Sequence, residues 1–305
     1  MPCEEGFRGE APTPKEVVLA TYMLAAVSDL HAGSVTAVCP PRPIELDSGS
    51  HYIPNKVQKW LYKKWEHSWG EFFPRMLDLY KPDKVELLLN GDMQDGDHHG
   101  SHEIISNLEG IHYRIAHELL EAGPMKHEFD GIHVVRGTPA HVGKGGGMEE
   151  GLARTLKKQH GYPIIDDPDT VTASSTVRRI KRGGQLIDCR HHGRMGKREH
   201  TKDSYIRLYA HDIWEAHVRS GDRPPDLAIR AHNHRYIDSG RIHDLATRVV
   251  GLPCWQMPTE WIHRVAIESL PDIGMCVFII RDGRVLEPEP MLYKPARPTV
   301  IGGSV

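Results

Sequence analysis

Aspartate and histidine gather in five short stretches of the chain, each just after an apolar run. "SDLHAG" carries Asp29 and His31. "NGDMQDGDHHG" carries Asp92, Asp95, Asp97, His98 and His99. "RGTPAHVG" carries Thr138 and His141, "RHHGRMG" carries His191 and His192, and "AHNH" carries His232 and His234. Carboxylates and neutral imidazoles are oxygen and nitrogen ligands. With no thiolate beside them they suit Mn2+, Fe, Zn2+ or Mg2+. Six or more exceed the needs of one tetrahedral ion. Two ions about 3.5–4 Å apart, bridged by a carboxylate, fit better, and such a pair clamps the attacking and leaving oxygens of a phosphoryl transfer. It also draws the pKa of a water from about 15.7 towards about 7. A lone terminal histidine is ordinarily a surface or capping residue; five such ends in series form a pattern.

Something must bring the five stretches together. "VVLATYMLAAVSDLH" reads as a buried strand with a polar tip, "KVELLLNGD" as a second, "GIHVVRGT" as a third, "QLIDCRHHG" as a fourth and "DLAIRAHNH" as a fifth. Residues two apart on a strand point the same way, so His232 and His234 share a side. Helical patterns fall between the strands at 55–80, 104–121, 149–159 and 204–219. In the first of these Val57, Leu61, Trp65, Trp69, Phe72 and Met76 recur at spacings of three or four, a core stripe, with Pro74 set to break or kink it. "RIHDLATRVV" and "GMCVFIIRDGRVLEPEPM" read as later strands, the second folding back at Asp282-Gly283. Alternating strands and helices predict α/β architecture with a largely parallel core, whose ligands bind at the carboxyl ends of the strands. If the sheet is parallel, all five clusters lie on one rim.

Composition narrows the class. The 305 residues are 26% charged and 39% hydrophobic with a formal net charge of −3, which suits a globular chain and supplies no general field for nucleic acid. Five scattered cysteines include no C-x-x-C pair, so neither a disulfide scaffold nor a thiolate zinc site is indicated, and a cytoplasmic setting is expected. The run Val17–Val27 is too short to span a bilayer, so no membrane partner is expected. Residues 1–16 read as a flexible tail and 17–305 as a single domain.

The order of the motifs resembles the calcineurin-like metallophosphoesterase superfamily, whose successive motifs are D-x-H, G-D, G-N-H-[DE], H-G and G-H-x-H. The counterparts are "DLH" (Asp29–His31), "GD" (Gly91-Asp92), "GTPAH" (Gly137–His141), "HG" (His192-Gly193) and "AHNH" (Ala231–His234). The resemblance implies a β-sandwich of mixed, largely parallel sheets flanked by helices, a four-layer αββα arrangement. It implies two divalent ions, Mn2+ first, with Fe, Zn2+ or Mg2+ as alternatives. Asp29, His31 and His234 would hold one ion, His192 and His232 the other, and Asp92 would bridge them. The third motif departs from the family. Thr138 stands where a ligating Asn is expected and Pro139 where a phosphate-contacting His is expected, with His141 two residues on. Thr138 could ligate weakly while His141 contacts phosphate; His141 could itself replace the Asn; or the second site could be weakened.

His98 and His99 follow the bridging Asp closely and are candidates for lining the substrate pocket, with an exposed loop as the alternative. Next to the chosen His192, His191 would be a supporting or packing residue. Arg136, Lys144, Arg190, Arg194 and Lys197 lie near the rim in sequence and could meet phosphate or only solvent. The resulting expectation is hydrolysis of a phosphoester by a metal-bridging hydroxide, of phosphodiesterase or nuclease type, with His141 as the catalytic acid. The substrate would be a phosphoester, a nucleotide or nucleic acid among the candidates. The alternatives are a phosphomonoesterase of the same fold and a non-catalytic metal-binding module. Nothing in the sequence sets the oligomeric state.

Overall fold

The computed structural model describes residues 20–97, 100–194, 201–242, 247–265 and 270–295. The expected tail, and the pocket candidates His98 and His99, lie outside the described residues. The strands are β1 (Tyr22–Val27), β2 (Ile44–Glu45), β3 (His51–Tyr52), β4 (Lys84–Asn90), β5 (Gly131–Val135), β6 (Val177–Arg182), β7 (Gln185–Arg190), β8 (Leu227–Arg230), β9 (Ile237–Asp238), β10 (Arg248–Gly251), β11 (Ile273–Arg281), β12 (Arg284–Val285) and β13 (Glu289–Tyr293). The helices are α1 (Lys56–His67), α2 (Phe73–Tyr80), α3 (Glu109–Ala122), α4 (Pro139–Val142), α5 (Gly147–His160), α6 (Lys202–Arg219) and α7 (Glu260–Val265).

Two mixed sheets result. One runs β12-β11-β1-β4-β5 with β13 also on β11; the other runs β6-β7-β8-β10-β9. β1, β4 and β5 are parallel, as are β7, β8 and β10, and antiparallel strands close the edges. The five motif-bearing strands are therefore divided three and two between sheets rather than laid along one rim.

Alternation along each strand builds the layers. Leu24 and Ala26 of β1, Leu88 of β4 and Cys276, Phe278 and Ile280 of β11 meet Ile187, Cys189, Leu227 and Ile229 of the second sheet. Their neighbours Met23, Ala25, Val27, Leu87 and Leu89 turn the other way, onto α1, α2, α3 and α5. The outer face of the second sheet takes Ile206, Ala210 and Ile213 of α6. Both faces are covered, which is why these strands read as near-continuous apolar runs. The order is helix, sheet, sheet, helix: the expected αββα sandwich.

Several boundaries move from the sequence reading. The strands stop at Val27, Asn90, Val135, Arg190 and Arg230, so the polar tips lie beyond the strands, in loops or, for His141, in α4. α3 starts at Glu109 rather than 104, and β2 and β3 pair as a short antiparallel ribbon between β1 and α1. The helical stretch 55–80 continues past Pro74 because a π turn at Ser68–Phe72 precedes it, and Phe73 N–H bonds Ser68 O, five residues back. The extra residue shifts the phase of the stripe. Leu61, Trp65, Trp69 and Met76 are buried as expected, but Phe73 replaces Phe72 in the core and Val57 is exposed. At Asp282-Gly283 both residues have positive φ (51° and 68°), the geometry of a two-residue hairpin turn.

The tryptophan cluster supports the end of the sandwich where the motifs lie. Trp65 packs edge-on against Trp255 at 4.9 Å between ring centroids, and its Nε1 donates to Leu119 O at 2.9 Å. Trp255 N–H in turn bonds Asp29 O at 2.9 Å. Trp65→Ala removes a fully buried ring and is expected to cost about 3–5 kcal/mol of stability, read as a lowered urea midpoint with unchanged slope.

Candidate metal centre

Backbone bonds extend the strand pairing beyond the sheets. Asp29 N–H reaches Gly91 O at 3.0 Å, His31 N–H reaches Asp92 O at 2.9 Å and Asp95 N–H reaches Ala32 O at 3.0 Å, so the loops after β1 and β4 run side by side. In the second sheet Ala231 N–H bonds His191 O at 2.8 Å, joining the loops after β7 and β8. Within this frame Asp29, His31, Asp92, His232 and His234 all have left-handed backbones, with φ between 45° and 71°. Asp and His tolerate that region better than most residues, and such angles persist where the surroundings enforce them. Ala231, standing where the family has glycine, needs no positive φ.

The five loops converge. Asp29 and Asp92 are both fully buried. Around Asp29 Oδ1 lie His234 Nε2 at 3.3 Å, His31 Nε2 at 3.8 Å and His191 Nε2 at 3.8 Å, and His31 Nε2 lies 3.2 Å from His234 Nε2. Asp92 Oδ2 lies 2.9 Å from His191 Nε2, with His232 completing a second group. Asp95 Oδ1 meets His31 Nδ1 at 2.9 Å, turning the far nitrogen of that ring towards Asp29.

Thr138, three residues beyond β5 and just before α4, sits inside the second group. Its N–H and Oγ1–H donate to the two oxygens of Asp92 at 2.7 and 3.0 Å, and Oγ1 lies 3.1 Å from His232 Nδ1 and 3.4 Å from His192 Nε2. Pro139 opens α4, where its missing N–H costs nothing. The turn brings His141 to the other group. His141 Nδ1 donates to Asp95 O at 2.8 Å and the ring packs edge-on against His31 at 4.5 Å. Thr138 and His141 thus occupy different parts of the centre.

His191, expected as a supporting or packing residue beside His192, lies against both carboxylates. β7 ends at Arg190, so strand alternation no longer applies, and the two rings stand edge to face at 5.1 Å. His191 is buried; its Nδ1 donates to Asn90 O at 2.8 Å, which leaves Nε2 as the lone-pair nitrogen of the neutral ring, aimed at the carboxylates. His192 is exposed, its ring 4.7 Å from that of His232. The flanking cations divide. Arg136 binds Ser174 and Arg190 binds Asp188, Lys144 and Arg194 are exposed, and Lys197 lies outside the described residues.

Charge follows the geometry. Burial opposes ionisation of Asp29 and Asp92, but His191 and the neighbouring imidazoles outweigh it and hold both carboxyls below their usual range. Burial likewise opposes protonation of His31 and His191, yet the carboxylates carry both up to about 10. His232 goes the other way, down to about 4, through burial and the nearby His191. Two fully buried carboxylates thus demand positive charge, and protons or metal ions can supply it. Asp29 Oδ1 is buried and makes no hydrogen bond, while His191 Nε2 faces Asp92 Oδ2 at 2.9 Å, so the carboxylate pair keeps an unmet acceptor. Oxygen and imidazole donors with such an unmet atom fit divalent ions of the borderline type.

Sequence reading missed Glu149, on the first turn of α5. It is fully buried and accepts from Gly137 N–H at 2.6 Å and Met93 N–H at 3.3 Å, gripping the loops after β5 and β4 together. Burial and the charge of Asp92 push its carboxyl up to about 8. A glutamate after a glycine run carries no local signal of that role. The glycines of two motifs are close approaches: a Cβ on Gly91 would strike the His191 ring, and one on Gly137 would strike the Asp92 carboxylate.

No family model matches the chain, and no curated protein matches it. Solved structures similar to it include a novel archaeal phosphodiesterase, at 9% identity over 89% of this chain and 99% of that one, with a TM-score of 0.40. Vps29 from Entamoeba histolytica complexed with Zn2+ is 12% identical over 88% and 98%, at 0.37. A 5'-nucleotidase precursor from Thermus thermophilus is 10% identical over 89% and 54%, at 0.38. Among the described residues no helix is long and apolar enough to cross a membrane.

Gly137→Ala is expected to displace Asp92 and abolish tight divalent-metal binding while far-UV circular dichroism stays native; metal content after gel filtration reads it. A second expectation concerns pH. In the metal-free chain folded Glu149 keeps its proton to about 8, whereas the unfolded carboxyl releases it near 4.5. The folded state binds more protons between those values, so this group makes stability fall as pH rises through that window. Urea midpoints at pH 5 and pH 8 should therefore differ less for Glu149→Gln than for the parent chain.

Proposed function

We propose that the chain is a calcineurin-like metallophosphoesterase that hydrolyses a phosphodiester. The observation that carries this reading is a pair of fully buried carboxylates, Asp29 with an Oδ1 that makes no hydrogen bond and Asp92 paired with His191 Nε2 at 2.9 Å, ringed by imidazoles from convergent segments. Asp29, His31 and His234 would hold one ion, and His191, His192, His232 and the Thr138 hydroxyl would surround the other, with Asp92 between them. Divalent ions bound there supply Lewis-acid charge and a water acidic enough to serve as nucleophile near neutral pH. Manganese is the first candidate for that role. The left-handed loops and the Asp95–His31 contact fix the donors before any ligand arrives, which lowers the cost of ordering them. His141, its Nδ1 donating to Asp95 O beside His31, would be the residue that exchanges a proton with the leaving oxygen.

Thr138 favours a second reading, a metal-binding module without turnover. A hydroxyl already donating to Asp92 is a poorer ligand than the amide it replaces. One assay separates the two. With Mn2+, the purified chain should bind two equivalents and hydrolyse bis-p-nitrophenyl phosphate faster than p-nitrophenyl phosphate. Asp92→Asn should lose metal and turnover together. His141→Ala should keep the metal and lose about 10²–10⁴-fold in kcat. Preference for the monoester would reassign the substrate class; no hydrolysis of either ester, with metal content unchanged in Asp92→Asn, would sink the proposal.

A further inference from the structure

A second group of ligand-type side chains lies away from the centre, on the seam between α3 and α5. The two helices share the large core through Ile115, Ala116 and Leu119 on one and Leu152, Ala153 and Leu156 on the other. At the solvent edge of this seam His117 and Glu121, one turn apart on α3, meet His160, the last residue of α5. His117 Nε2 and His160 Nε2 are 2.9 Å apart, His160 Nδ1 lies 3.3 Å from Glu121 Oε1, and His117 Nδ1 lies 3.7 Å from Glu121 Oε2. One donor atom from each side chain can be taken so that all lie within 4.8 Å of one another.

The surroundings hold the rings in place. Tyr113 stacks on His117 at 24° between planes and Tyr162 stacks on His160 at 13°. Gly161, at φ 70°, ends α5 in the left-handed conformation and turns Tyr162 back over the ring. Two imidazole nitrogens that face each other can share one N–H···N hydrogen bond or turn both lone pairs to a cation, and the carboxylate beside them supplies a third, anionic donor for the cation.

We propose that His117, Glu121 and His160 form a zinc site that clamps α3 to α5, separate from the candidate phosphoesterase centre. Zinc takes nitrogen and carboxylate donors at about 2.0–2.2 Å in a tetrahedron, whose edges are then about 3.3 Å. The Nε2–Nε2 separation of 2.9 Å is close to that edge and one donor atom from each of the three side chains lies within 4.8 Å of the others, so a small rotation of exposed side chains completes the set, with water in the fourth position. The site lies well away from Glu149, since His160 is eleven residues further along α5, about 16 Å at the helical rise. Both clamped helices reach the centre from their other ends. His112 of α3 accepts from Gly96 N–H at 3.0 Å, in the loop after β4, and Glu149 of α5 holds the loops at Met93 and Gly137. Zinc on the seam would therefore stiffen the two supports of those loops. The inference does not rest on the chain being a phosphoesterase.

The test uses the full chain, stripped with a chelator and carrying Asp92→Asn, titrated with Zn2+ in competition with a chromophoric chelator. Adding His117→Ala and His160→Ala together should remove one zinc equivalent and part of the zinc-dependent rise in thermal midpoint. Co2+ in place of zinc should give tetrahedral d–d bands that the double change removes. Glu121→Gln, an isosteric change at a half-exposed position, should also weaken the site, and guards against a folding defect in the histidine variants. Equal zinc stoichiometry and equal thermal shift in all of these chains would overturn the inference.

Discussion

Two carboxylates, Asp29 and Asp92, are sealed from water at one end of a β-sandwich, and the local structure answers that constraint. A buried carboxylate is tolerated only where positive charge or donated hydrogen bonds compensate it. Here Thr138 and His191 approach Asp92, while three imidazoles surround Asp29 Oδ1 and leave it without a hydrogen bond. An arrangement with that deficit is poised for a cation, and the acidity of the carboxyls and basicity of His31 and His191 express the same balance.

The scaffold serves this balance by ending its strands early. Each ligand-type residue lies just beyond a strand, where a loop can adopt left-handed angles that a regular strand forbids. The cost of those angles is spread over backbone bonds between adjacent loops and over the tryptophan cluster beneath Asp29. Glycines stand where neighbouring side chains press on the backbone: Gly137 is required by contact with Asp92, and Gly91, at φ 88°, by contact with His191 as much as by conformation.

The 21 histidines do several jobs. Some face carboxylates in the centre. His112 orients a loop through its two ring nitrogens, accepting from Gly96 and bonding Ser106 O. His117 and His160 meet on an outer helix seam. One residue type suits all three uses because its two nitrogens can act as donor, acceptor or ligand according to what each one faces.

Much was legible in the sequence. Apolar runs ending in Asp and His marked the five loops, the alternation of strands and helices marked the α/β class, and the motif order implied the αββα layering. These signals are local, because burial pattern and ligand chemistry are written residue by residue. The division of five parallel strands between two sheets was not local, since pairing partners are far apart in sequence. Nor was the approach of both His191 and His192, which depends on β7 ending at Arg190 rather than continuing through the motif. The phase shift that buries Phe73 came from one π turn. Glu149 became part of the centre only because α5 packs its first turn against two loops that are distant in the chain. Sequence alone determined which side chains could bind metal; tertiary packing decided which of them meet, because that depends on where each strand stops and which loops lie side by side.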